Sequence, residues 1–125
     1  MKCKRFYNDT FPCSLVIVDQ PKGVEDVNRV LHRRQILDKD TYLPALDHDP
    51  VASVYRLDNQ CAVLVIWRTD IEYKEIAHEA VHAATHYCSI LGMPVEAGYD
   101  EPAAYLVGWV CEKVFSTLEL KTEAR

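Results

Sequence analysis

Residues 69–94 read TDIEYKEIAHEAVHAATHYCSILGMP, and the fold of the chain turns on them. Thr69 or Asp70 is placed to cap a helix that begins at Ile71, with Glu72 in its first turn. Gly92 with Pro94 just beyond gives the usual order for a C-terminal stop near Leu91. Inside this helix His78, Glu79 and His82 spell H-E-x-x-H. Residues four apart on an α-helix share one face, so both imidazoles can converge on one ion. Glu79 is turned by about 100° from His78, beside that ion and facing the water it would hold. In a chain of this composition the pattern arises by accident about once in seventy, treating positions as independent draws.

Downstream, residues 95–99 connect to a last helix that opens at Asp100 or Glu101, with Pro102 in its first turn. It reaches Leu118 or Leu120, and Ala103, Leu106, Val107, Val110, Val114 and Leu118 give it an apolar face. Upstream, residues 52–57 and 61–68 are two β-rich runs separated by Asp58, Asn59 and Gln60, the signature of a tight hairpin. The second run is apolar on both faces and reads as a well-covered strand; its position just before the motif helix suggests an edge to which an extended peptide adds. Residues 15–18 read as another buried strand. Val24, Val27, Val30 and Leu31 then recur at helical spacing, giving a helix to about Leu37 and an Asp-rich loop over 38–50. The fold class expected is α+β: one domain over residues 1–125, a small sheet whose hairpin packs on a helix pair.

Composition bounds the rest. A chain of 125 residues, 49% hydrophobic and 26% charged, has the makings of one globular core. A net charge of -5 argues against nucleic acid as a partner. The basic clusters at Lys2, Lys4 and Arg5 and at His32, Arg33 and Arg34 read as solvated surface. No run is long enough to cross a membrane and no secretory pattern opens the chain, so the cytoplasm is the expected location. The five cysteines are odd in number and lack a C-x-x-C pair, which disfavours a disulfide framework or a thiolate zinc knot. No cysteine is marked out as a catalytic nucleophile.

Catalytic zinc normally takes three protein ligands and keeps one open position. His86 continues the row, but it stands about 12 Å along the axis from His78 on an unbroken helix. Glu101, at the head of the next helix, is the better third donor. Tyr105, on the same face as Glu101, is placed to hydrogen-bond a carbonyl oxygen during reaction, or simply to pack.

His78-Glu79-Ala80-Val81-His82, followed by Asp100-Glu101-Pro102-Ala103-Ala104-Tyr105, resembles the minimal zincins of the gluzincin kind, and in particular small zincin-like proteins encoded by bacteriophages and prophages. The resemblance covers roughly the last fifty residues. It implies His78, His82 and Glu101 as ligands of Zn2+, Glu79 as general base, and a peptide or protein as substrate. The expected activity is a zinc-dependent hydrolase, most readily a peptidase. Two other readings stay open: a zinc-binding interaction protein without catalysis, and a metal-free domain with an accidental motif.

Overall fold

A computed structural model describes residues 1–119. The elements run β1 (Lys2–Tyr7), β2 (Ser14–Asp19), α1 (Val24–Arg33), β3 (Ala52–Leu57), β4 (Cys61–Ile66), α2 (Tyr73–Ile90) and α3 (Glu101–Leu118). The α+β class holds: the four strands form one mixed sheet, ordered β1-β2-β4-β3, against which the helices pack.

The sheet is built from two antiparallel hairpins joined side by side. β1 pairs antiparallel with β2, and β3 antiparallel with β4. Between them β2 and β4 run parallel, Ser14 opposite Cys61 and Asp19 opposite Ile66. Each of these central strands is covered on both faces, which explains its unbroken apolar run. Side chains alternate between the faces. Leu15, Ile17, Ala62, Leu64 and Ile66 meet α2 and α3. Val16, Val18, Cys61, Val63 and Val65 meet Val27, Val30 and Leu31 of α1. The molecule is therefore three layers deep, with the helix pair on one face and α1 on the other.

Two expectations need correction, and one strand goes unread in the sequence. Residues 61–68 do not offer an edge: β4 is paired on both sides, and the edge beside the motif helix belongs to β3. The basic N-terminus is a strand, β1, with Lys2 and Lys4 exposed and Cys3 and Arg5 half-buried. Lys2 and Lys4 are solvated as expected, and charged residues on such an edge strand also hinder pairing with a second chain. Finally, α1 ends at Arg33 rather than Leu37. Gln35 adopts a left-handed conformation (φ 58°), and the N–H groups of Ile36 and Leu37 fold back on Leu31 O at 2.9 and 3.3 Å. That is a glycine-type helix ending made by a glutamine.

The loop after α1 has no regular structure, yet it is tied down. Asn28 clamps Leu43, donating from Nδ2 to its carbonyl at 3.1 Å and accepting its N–H at 2.7 Å. Tyr55 donates to Pro44 O at 3.0 Å. These bonds hold the following residues, Leu46 and His48, over the outer part of the sheet.

Candidate metal centre

The motif helix starts two residues later than its sequence signals suggest. Glu72, not Thr69 or Asp70, is the N-cap. Its N–H donates to Glu75 Oε1 at 3.1 Å, the returning half of a capping box. Ile76, Ala80, Ala83, Ala84, Tyr87 and Cys88 then form the buried face. The three alanines let α2 lie close to the sheet and to α3. Near its far end, the Tyr87 hydroxyl donates to Ser14 O at 2.6 Å. On the flank toward β3 lie Glu79, His82 and His86, with His78 at the rim.

His78, Glu79 and His82 each offer a ligand atom, and these atoms all lie within 4.8 Å of one another. The two histidine Nε2 atoms are 3.1 Å apart, with rings near-perpendicular at 78°. Tetrahedral zinc with bonds of about 2.05 Å needs its nitrogens about 3.3 Å apart, so the pair fits such an ion with little adjustment. Glu79 Oε2 stands 3.8 Å from His78 Nε2.

The electrostatics favour the same use. Burial pushes the Glu79 carboxyl up, and nearby His78 pulls it back only in part. Burial lowers His82 first, and coulombic repulsion from the His78 and Arg56 side chains lowers it further. A neutral imidazole is the form that binds metal, and a carboxylate raised by desolvation is a better base.

These residues open on a cleft of ≈ 350 Å³. Ala52, Val54 and Arg56 of β3 form one wall, α2 the other, and Leu46 and His48 of the clamped loop reach into its lining. His48 was missed in the sequence. It sits in an aperiodic Asp-rich loop, tied down before it by the Asn28 and Tyr55 bonds and after it by the N–H groups of Trp67 and Arg68 donating to Val51 O. Its Nδ1 is 3.0 Å from Asp47 Oδ1, which leaves Nε2 available.

Glu101 and Tyr105 do not join this group. Phe115 packs edge-on against Tyr73 at 5.4 Å and Trp109 against Tyr87 at 6.3 Å. The helices are therefore antiparallel, and the first turn of α3 lies toward the C-terminal end of α2, beyond the level of His82. Glu101 is exposed there. Asp100 is the N-cap residue of α3 but makes no side-chain capping bond. The Tyr105 hydroxyl is 3.4 Å from Thr10 Oγ1, with its ring against Phe11 at 5.8 Å, so it faces the turn between β1 and β2. His86 is engaged elsewhere, its Nε2 3.0 Å from Leu57 O.

Comparison with protein-family models, with curated proteins and with solved structures finds no match to this chain. Among the described residues no helix is long and apolar enough to cross a membrane.

Proposed function

We propose that the chain is a divalent-metal hydrolase, with zinc as the metal and a peptide or protein as substrate. The observation that carries this reading is the convergence of His78 and His82 Nε2, 3.1 Å apart, beside a desolvated Glu79. His78 and His82 hold the metal. Glu101 is the third ligand that the sequence resemblance implies; His48, which lines the same cleft, is the competing donor. A metal held there would supply Lewis acidity toward a scissile carbonyl and an attacking water. Glu79 takes the proton from that water and returns it to the leaving amine, work worth about 10²–10⁴-fold in rate. The substrate lies along β3, whose outer side pairs with no other strand among the described residues, and Arg56 lines the cleft from that strand. Tyr105 is a candidate carbonyl donor only if it leaves Thr10. Five free cysteines suit a reducing compartment such as the cytoplasm.

One observation favours a second reading, a metal-binding interaction module without turnover. Glu101 and Tyr105, which would complete a catalytic set, stand apart from the histidines.

The deciding experiment is metal content by elemental analysis after purification without chelator, for the wild type, His82→Ala, Glu101→Ala and His48→Ala. We expect about one zinc per chain in the wild type, none in His82→Ala, and loss in whichever of the other two removes the third ligand. A wild type that takes up no metal even from added zinc overturns the proposal.

A further inference from the structure

Ala52, Val54 and Arg56 occupy alternate places on β3 and so share one face of the sheet. Ala52 is buried and Val54 packs on the core beneath the helix pair, so this is the face turned toward α2. Arg56 is the exposed member of the three, and it lines the cleft together with His78, Glu79 and His82. It stands at the His82 end, near enough for its charge to act on that imidazole. The next residue, Leu57, is tied to α2 one turn further on through His86.

Arg56 has no ion-pair partner among the described residues. The chain carries a net charge of -5, yet Glu79 is the only acid among the described residues lining the cleft. The Glu79 carboxylate stands 3.8 Å from His78 Nε2, at the other histidine. A guanidinium is charged at any working pH, and its planar fork of donors matches the two oxygens of a carboxylate. Its charge also opposes a cation held by His78 and His82, so it weakens the metal site unless an anion joins them. Further back along β3 the wall is formed by Ala52, Ser53 and Val54, which carry no charge.

We propose that Arg56 is a specificity-determining residue that receives a carboxylate of the substrate on the His82 side of the cleaved bond, so that the cleft selects acidic peptides. This assignment rests on the metal-hydrolase reading of the cleft. In a peptide laid along β3, alternate side chains face the cleft, and one of them lies against Arg56. An Asp or Glu side chain and a C-terminal carboxylate offer the guanidinium the same paired acceptors.

The test is an NMR titration of ¹⁵N-labelled, zinc-loaded full-length protein carrying Glu79→Gln, which prevents turnover, following the Arg56 Nε–H and the amides of β3. Three probes are used: a blocked alanine peptide with a central aspartate, its asparagine counterpart, and an alanine peptide ending in a free carboxylate. We expect a carboxylate to bind about tenfold tighter than the asparagine peptide; the tighter of the two carboxylate probes identifies a side chain or a chain end as its source. Adding Arg56→Gln should abolish that advantage, and Arg56→Glu should reverse it in favour of a lysine peptide. Arg56 is exposed, so neither substitution should disturb the fold. Elemental analysis of the same samples separates the two readings. Zinc retained with no preference for a carboxylate, or with no saturable shifts from any probe, overturns the role of Arg56 alone. Absence of zinc uptake by the wild type overturns the metal reading and the assignment built on it.

Discussion

His86 Nε2 lies 3.0 Å from the carbonyl oxygen of Leu57, so the helix that bears the candidate metal ligands is tied to the last residue of the strand forming the opposite wall of the cleft. The third histidine of the row thus braces the cleft instead of reaching an ion. His86→Ala should lower stability by about 1 kcal/mol in urea denaturation and leave the metal content of the protein unchanged. A loss of bound metal equal to that of His82→Ala would make His86 a ligand.

Glu79 and His82 are neighbours in the site but differ in kind. Glu79→Gln keeps the shape of the cleft and both imidazoles, so metal should remain while hydrolysis of a cleaved peptide falls by about 10²–10⁴-fold. Assay of a peptide library with metal-loaded wild type and variant checks this. Equal turnover by both proteins removes Glu79 from the chemistry.

Tyr87 is fully buried and donates its hydroxyl to Ser14 O at 2.6 Å. Removing the donor leaves a buried carbonyl short of a partner, so Tyr87→Phe should cost about 1–3 kcal/mol. Chemical denaturation with an unchanged slope would show a stability effect; no change in midpoint would mean water replaces the hydroxyl.

Burial, with smaller contributions from Cys61 and Cys88, pushes the Cys13 thiol up to about 11. Between the ordinary value of 9.0 and about 11 the unfolded chain releases this proton while the folded chain keeps it. The unfolded state then binds fewer protons, so stability contributed below that window is lost as pH rises through it. A Cys13→Ala variant should lose part of that pH dependence in thermal unfolding followed from pH 8 upward. In the native wild type at about pH 8, Cys13 should resist alkylation, since the thiolate is the reactive form.

What could be read from the sequence was whatever depends on near neighbours in the chain. The motif helix announced itself through the Gly92 stop with Pro94 beyond it, and the spacing of His78 and His82 is a property of any helix. The turn of Asp58, Asn59 and Gln60 was equally local, with Gln60 taking the left-handed position (φ 61°). Features that rest on distant partners were hidden. β1 reads Lys-Cys-Lys-Arg-Phe-Tyr, with only Cys3 and Phe6 packed against the two core clusters, and this resembles ordinary surface. The end of α1 relies on a glutamine in a conformation that glycine normally signals. His48 lines the cleft in a loop tied down by Asn28, Tyr55, Trp67 and Arg68, distant contacts that no periodicity records.

The parallel seam between β2 and β4 also has a kinetic meaning. Both hairpins, β1 with β2 and β3 with β4, join strands that are close in the chain and close quickly. Their union requires α1 and the long Asp-rich loop to bring Ser14 beside Cys61, and such a closure loses entropy before any contact repays it. Folding speed should therefore be set at that seam. The walls of the cleft, β3 and α2, belong to one continuous stretch and can form before the two halves of the sheet meet.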